Sequence, residues 1–275
     1  MQSGHHKIDP KARLVVATVT LRLFRQERQE RIVDLLEQHG RVSVAALSER
    51  FGLSQATIRS DLESLVQEGL IVRTHGGAIL ADDSGIEISF ELRRRLRAAE
   101  KKRIGAAAAA LIEDGEAIAL DASTTALAIA NEIRDRRELT VITNGIYTAL
   151  ALIDCPGVTV FMPGGFLRRD SVSMVGGDGR ELLHRYHVQR GFFGAKGIAL
   201  HEGLTDVNRD EVAIKRDMVQ HARQVYAVVD SSKWGKIGFA SFAALDEVDC
   251  VITDPDAPQD MVHALEGAGV RVVVA

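Results

Sequence analysis

At 275 residues, 46% of them apolar, the chain is long enough for two domains with cores of their own. No run of about 18 or more apolar residues occurs, which excludes an ordinary membrane-spanning helix, and residues 1–10 lack the unbroken apolar stretch of a secretion signal, so a cytoplasmic protein is expected. The net charge of −4 hides an asymmetry: residues 1–103 hold 18 basic against 14 acidic side chains and residues 104–275 hold 16 against 24. Phosphate contacts need only a local basic face, so the overall acidity does not exclude a nucleic-acid partner. Cys155 and Cys250 lie far apart with no ligand-like neighbours, which predicts buried thiols rather than a disulfide or a metal site.

Residues 1–24 show no amphipathic period and read as a frayed arm or scar. From Gln26 a helical period sets Ile32, Leu35 and Leu36 on one face, and Gly40 ends it. Ser43 caps a short helix carrying Val44, Leu47 and Phe51; Gly52 breaks it. Ser54 caps a third helix with Ile58, Leu62 and Leu65 inward and Gly69 past its end. Residues 70–80 read as two strands around His75-Gly76-Gly77. Residues 25–80 thus form a small winged domain, with a helix-turn-helix over about 45–64. Residues 81–103 form a charged connector, with seven basic side chains between Phe90 and Arg103.

From residue 104 to 275, helical segments alternate with apolar strands at 117–120, 140–143, 158–161, 190–194, 225–229, 248–253 and 270–274. That alternation predicts an α/β domain with a mainly parallel, Rossmann-like sheet covered on both faces.

The spacing from Val44 to Glu68 is that of a helix-turn-helix. The polar N-terminal residues of its second helix, Ser54, Gln55, Thr57 and Arg59, project away from the Ile58/Leu62/Leu65 face toward a major groove. Gln55 suits adenine; Arg59 suits guanine or a phosphate. Arg73 and His75 on the hairpin would touch the adjacent backbone. A generic three-helix bundle with a solvated polar face is the bland alternative for the trihelical pattern alone.

The stretch TIRSDL…EGLIVRTHGGA closely resembles the DeoR family of bacterial regulators. In the second half ALDASTTALAIANEI, VITNG, PGGFLRR, GLTDVNRDEVAIKRDM and VVDSSKWG are similar to the family's sensor domain. The resemblance implies a fold like that of ribose-5-phosphate isomerase, a phosphorylated-sugar effector and binding to double-stranded operator DNA. One departure is Ser60, where the family usually has a second arginine directly after the first.

The residues of the second half point the same way. Asp121, Ser123, Thr124 and Thr125 follow a strand and open a helix, so three hydroxyls and free N–H groups make a phosphate cradle, although an ordinary N-cap would also place them there. Asn144 ends the next strand, and Gly164 and Gly165 end another with Arg168 beyond. Ligands of open α/β sheets bind outside the carboxyl ends of strands, so these three ends are expected to converge on one crevice. Lys233, in the DSSK that matches the family and the related isomerases, is expected to help hold the anion. Asp206, Glu211 and Lys215 lie on a loop and helix start, where Glu211 and Lys215 also read as a plain i,i+4 pair. Lys196 receives no role, and His184, His187, His201 and His221 read as surface or packing residues.

The expectation is a repressor of sugar-metabolism genes, a homodimer or homotetramer, with no metal, no cofactor and no catalytic set. The alternative is a sugar-phosphate isomerase-like enzyme with an accessory DNA-binding head, in which Glu211 would take the place of the base. An architectural DNA binder without effector would not need the polar strand ends.

Overall fold

The computed structural model describes residues 24–84 and 88–275. Apart from Phe24, the arm expected over residues 1–24 lies outside the described residues. The first helix, α1 (Arg25–His39), ends at Gly40, whose N–H donates to the Leu36 carbonyl. A short strand, β1 (Arg41–Ser43), leads into α2 (Val44–Phe51), where the Ser43 hydroxyl accepts the Ala46 N–H at 3.1 Å. Gly52 makes the turn at φ +64°, backbone that a Cβ penalises, and Ser54 caps α3 (Gln55–Gln67) by accepting the Thr57 N–H at 3.1 Å. β2 (Ile71–Thr74) and β3 (Gly77–Leu80) form the hairpin, and β1 adds to β3 with Val42 opposite Ala78. The strand β1 has no sequence signature: three residues are too few for a period of two, and its partner lies far along the chain.

Ile32, Leu36, Leu47, Ile58, Leu62 and Leu65 make the core of this head. Beside it Arg28 and Asp61 form a bidentate pair, with Nε to Oδ2 at 2.5 Å and Nη2 to Oδ1 at 3.0 Å, both residues buried. The pair ties α1 to α3 away from the apolar contacts.

The connector is largely helical. After a 3-10 turn at Ala81–Ser84 come α4 (Phe90–Arg95) and α5 (Ala98–Ala109). The boundary expected between residues 103 and 104 therefore falls inside a helix. The charges at Lys101–Arg103 suggest a linker, but Lys101 is buried and continues the inner face that Ile104 and Ala108 extend. Ile88 and Leu96 pack into the core of the head.

The remaining elements are β4 (Ala117–Leu120), α6 (Thr124–Glu132), β5 (Leu139–Thr143), α7 (Ile146–Leu152), β6 (Val158–Phe161), β7 (Phe166–Arg168), β8 (Ser173–Val175), α8 (Gly177–Leu183), β9 (Val188–Phe193), β10 (Gly197–Ala199), β11 (Gly203–Asp206), α9 (Arg209–Gln220), β12 (Ala222–Val228), β13 (Ala240–Ala243), β14 (Cys250–Thr253), α10 (Gln259–Gly267) and β15 (Arg271–Val274). Seven strands form one parallel sheet in the order β15-β14-β12-β9-β4-β5-β6, and these are the seven read from the sequence. Ile118, Leu120, Tyr226 and Val228 face α5 and α6, whereas Ala119, Val225 and Ala227 face α9, so both surfaces are buried, as a parallel sheet requires. β7 pairs with β8, and β10, β11 and β13 form a small antiparallel sheet.

The chain runs outward from β4 to β6 and then returns to β9 on the other side of β4. The carboxyl ends of β4 and β9 therefore flank the topological switch point, where such sheets open a crevice.

Replacing one partner of a buried ion pair costs about 3–5 kcal/mol, whereas an apolar pair of similar volume is tolerated. Asp61→Ala is expected to lower stability by about that amount, and the double variant Arg28→Met/Asp61→Leu to recover most of it. Urea titrations followed by far-ultraviolet circular dichroism measure both.

Candidate functional site

Two surfaces carry polar residues that the fold itself does not consume. The first is the N-terminal end of α3. Ser54 and Gln55 are exposed, Thr57 is half-buried, and Arg59 and Ser60 are exposed. The Thr57 hydroxyl lies 2.9 Å from that of Ser54, and Arg59 Nη2 donates to Gln55 Oε1 at 2.9 Å, so the two groups suited to base edges are held side by side. Arg73 and His75 are exposed on the hairpin. With Ser60 the exposed face carries a hydroxyl rather than a guanidinium.

The second is a cavity at the switch point, below the head. Asp121, wholly buried at the end of β4, accepts the Ser123 N–H at 3.0 Å and the Gly194 N–H at 2.9 Å. A Cβ at Gly194 would sit 2.5 Å from Ser123 Cβ, so only glycine lets the end of β9 approach the start of α6. Lys215, buried on α9, reaches into this junction. Its ammonium meets Asp121 at 2.9 Å, Asp206 at 2.6 Å and the Gly194 carbonyl at 2.8 Å. Burial pushes the Lys215 ammonium down, but Asp121 and Asp206 outweigh it and raise it. Asp206 is likewise lowered by Lys215 against its burial. The i,i+4 pair expected between Glu211 and Lys215 is therefore not the arrangement: Lys215 turns to the strand ends instead.

Ser123 caps α6 through the Ala126 N–H at 3.0 Å. The side-chain hydroxyls of Thr124 and Thr125 line the cavity and make no hydrogen bond among the described residues. Opposite them stand side chains from the connector and from β9 and β12. Lys233, in a 3-10 turn capped by Asp230, meets Asp82 Oδ2 at 2.7 Å; Lys196, just past β9, meets Asp82 Oδ1 at 2.6 Å. Burial would raise the Asp82 carboxyl, yet Lys233 and Lys196 hold it well below the usual carboxylate range. Lys101 donates to the carbonyls of Arg93 and Leu96. Burial lowers its ammonium, Asp230 and Asp82 restore part of the loss, and Lys233 and Arg93 push it down again, to about 8. The Nε and Nη2 of Arg93 are buried with no hydrogen-bond partner among the described residues.

The cavity measures about 90 Å³. Six cations line it, Arg93, Arg97, Lys101, Lys196, Lys215 and Lys233, against the four carboxylates of Glu37, Asp82, Asp206 and Asp230. Asp121, paired with Lys215 from behind, is a fifth carboxylate, so a small positive excess remains, and half of the cations come from the basic connector.

The residues singled out from the sequence divide into two groups. Ser123, Thr124, Thr125, Asp206, Lys215 and Lys233 line the cavity, and Asp121 lies directly behind. Asn144, Arg168 and Glu211 form a separate cluster that does not line it. Glu211 is buried and accepts hydrogen bonds from Ser171 at 2.6 Å, from Ser173, and from Asn144 at 3.4 Å, with Arg168 at 3.7 Å. Gly164 and Gly165 lie against Gly179 and Val175 rather than at the crevice. The expected convergence of three strand ends is thus corrected to the ends of β4, β9 and β12. After β6 the chain turns into the β7–β8 ribbon, whose Ser171 and Ser173 draw Arg168 and Glu211 to themselves. Lys196, Lys101, Arg93, Arg97, Glu37, Asp82 and Asp230 are charged cavity residues that sequence reading missed. For Arg93, Arg97 and Lys101 the basic run of the connector was the visible signal, and it reads equally as a solvated linker.

A winged helix-turn-helix head over a parallel α/β domain with an anion-suited cavity defines a DNA-binding regulator with a sensor domain. Family models agree: the DeoR-like helix-turn-helix domain matches residues 28–84 and the DeoR C terminal sensor domain matches residues 96–255. The HTH-type transcriptional regulator GolR of Listeria innocua is 36% identical over 92% of this chain and 100% of its own. The HTH-type transcriptional repressor GlcR of Bacillus subtilis is 36% identical over 92% of this chain and 97% of its own. Among solved structures, ribose 5-phosphate isomerase A of Methanocaldococcus jannaschii is similar over 49% of this chain and 53% of its own, at 17% identity and a TM-score of 0.37. The chain belongs to the DeoR family of helix-turn-helix transcriptional regulators. It is a regulator and not an enzyme, and Glu211, held on all sides, is not placed as a base facing the cavity.

Lys215→Met would leave Asp121 and Asp206 buried without their cation. A stability loss of about 3–5 kcal/mol is expected, read by thermal and urea unfolding of the sensor sheet through the fluorescence of Trp234, the chain's single tryptophan.

Proposed function

We propose that the protein is a cytoplasmic repressor of sugar-metabolism genes that binds operator DNA as a homodimer or homotetramer and changes its operator affinity when a phosphorylated sugar enters the cavity. The observation that carries this reading is the cavity itself. It joins the N-terminus of α6 and two hydroxyls without partners to a cluster of cations in slight excess over carboxylates, at the switch point of the sheet. Cations from α4, α5 and the ends of β9 and β12 converge where a phosphate would sit, and the polar wall at Asp206 suits sugar hydroxyls. The buried guanidinium atoms of Arg93 that lack hydrogen bonds are the kind of orphan donors a bound anion would satisfy. The resemblance of the sensor half to its family points to the same class of effector. Asn144, Arg168 and Glu211 would act on this site from behind, by fixing the start of α9.

Operator contacts are assigned to Ser54, Gln55, Thr57 and Arg59 on α3, with Arg73 and His75 on the wing. Two heads reading paired half-sites would require the symmetric oligomer. Arg59→Ala is expected to weaken specific binding by roughly 1–3 kcal/mol. Gel-shift titrations on DNA from upstream of the protein's own gene, at several salt concentrations, measure it; unchanged affinity would remove Arg59 from the interface.

The effector is tested by thermal shift and calorimetry against phosphorylated and unphosphorylated sugars, since ligand binding raises stability by mass action. Phosphorylated members are expected to bind and Thr124→Val to weaken them, with folding intact. Binding also depends on pH. Lys101, facing Arg93, Asp230, Lys233 and Asp82, is charged below pH 8 or so and neutral above it. A phosphate monoester is fully ionised by about pH 7, so affinity should fall from about pH 7 to about pH 9 as Lys101 loses its charge. Lys101→Gln should flatten that fall. A flat profile in the wild type would sink the assignment of Lys101 to the anion site.

A further inference from the structure

Asp82 stands two residues beyond the last residue of β3, the strand that carries the wing, and yet its carboxylate is inside the sensor cavity. One oxygen holds Lys196 and the other holds Lys233, and the Lys196 ammonium also donates to the Asp82 backbone carbonyl at 2.9 Å. All three side chains are 17% exposed or less. Neighbouring atoms fix the segment on both sides: the Ala81 N–H donates to the Leu70 carbonyl at 3.0 Å, and Leu80, Ala81 and Ile88 belong to the core of the head.

We propose that Asp82 is a tethered stand-in for the effector's anion, and that an incoming phosphate takes Lys196 and Lys233 from it and so frees the exit of the wing. The proposal rests on the cavity being the effector site. Two observations carry it beyond that reading. The first is space: with Asp82 in place the cavity is about 90 Å³, well under the ~300 Å³ at the lower end of ligand pockets. Asp82 and Leu80, at the exit of the wing, are part of the wall that has to move back to admit a sugar phosphate. The second is charge. Lys233 keeps Asp230 beside it, but Lys196 has no other carboxylate within ion-pair distance among the described residues, so departure of Asp82 is favoured when another anion takes its place. The lysines thus couple the release of the head to ligand entry specifically, and uncharged sugars are excluded as triggers. A carboxylate on the same chain is always present at high effective concentration, so the competition also sets a threshold effector level. By linkage, operator binding that requires the anchored wing weakens the effector by the same factor that the effector weakens the operator.

The test uses the full-length protein, inorganic phosphate as the probe, calorimetry for affinity, and hydrogen exchange of residues 71–80 for the wing. In the wild type, saturating phosphate should speed exchange in the wing. Asp82→Asn removes the competing charge; it should bind phosphate at least tenfold more tightly, and its wing should exchange fast with or without phosphate. Lys196→Gln should bind phosphate more weakly than the wild type, which a lysine serving only to hold Asp82 would not do. If Asp82→Asn is poorly folded, the Lys196→Gln result and the wild-type exchange response decide the matter. Equal phosphate affinity in wild type and Asp82→Asn, together with loss of binding in Thr124→Val, overturns the stand-in and leaves the cavity as effector site. Phosphate binding in none of the variants or the wild type overturns both.

Discussion

An ammonium group buried at the switch point of a parallel sheet organises the sensor half. Lys215 has three strong acceptors, and each comes from a different part of the fold: Asp121 after β4, the Gly194 carbonyl after β9 and Asp206 at the end of β11. In a low-dielectric setting none of these charges is tolerable alone, so the three termini are fixed relative to one another or not at all. The start of α6, with its hydroxyls and N–H groups, is oriented by the same Asp121. The cavity is therefore rigid on its sheet side because its back wall is an ion cluster that has to be satisfied.

The opposite wall is built differently. It belongs to the segment between the wing and α5, where polar links to the sensor stand beside the packing of Phe90 on Tyr147. Arg97, at a positive φ in the break between α4 and α5, donates from its backbone to Glu37 Oε1 at 2.8 Å and from its guanidinium to the Glu37 carbonyl at 2.7 Å, and it lies 3.8 Å from Asp230. Lys101 closes the carbonyls at the end of α4. Each of these groups touches both α1 of the head and the strand ends of the sensor, or the helix between them. Apolar packing fixes shape but is indifferent to charge; polar links of this kind respond to an ion that arrives among them. At the cavity, ionic links between head and sensor stand beside the apolar side chains of Leu80, Ile88 and Leu96.

The cluster around Glu211 shows how a carboxylate at a suggestive position can be consumed by structure. Ser171, Ser173, Asn144 and Arg168 all converge on it, and together they pin the β7–β8 ribbon to α9. With its oxygens taken up by these donors, the Glu211 carboxylate serves the junction and does not face the cavity. Its place next to the start of α9 makes it a neighbour of Lys215 in sequence while the two side chains serve different junctions.

Much of this was written in local sequence. Helix starts at Ser43 and Ser54, the stops at Gly40, Gly52 and Gly69, the hairpin at His75-Gly76 and all seven parallel strands follow from capping, turn chemistry and apolar period, which act over a few residues. The outward polar face of α3 follows from its period as well. The placing of Ser123 to Thr125 at the start of α6 was legible because a strand end and a helix start adjoin in the chain. The short strands β1, β7, β8, β10, β11 and β13 were not, since each is held by distant partners and carries too few residues for a period. Nor could the sequence tell that Asp82 and Lys196, separated by 114 positions, share a hydrogen bond, or that the strand ends at Asn144 and at Gly164 and Gly165 do not join the crevice. Pairings of that kind are decided by which charges the tertiary fold buries together, because a buried charge must find its counter-ion in space and is indifferent to distance along the chain.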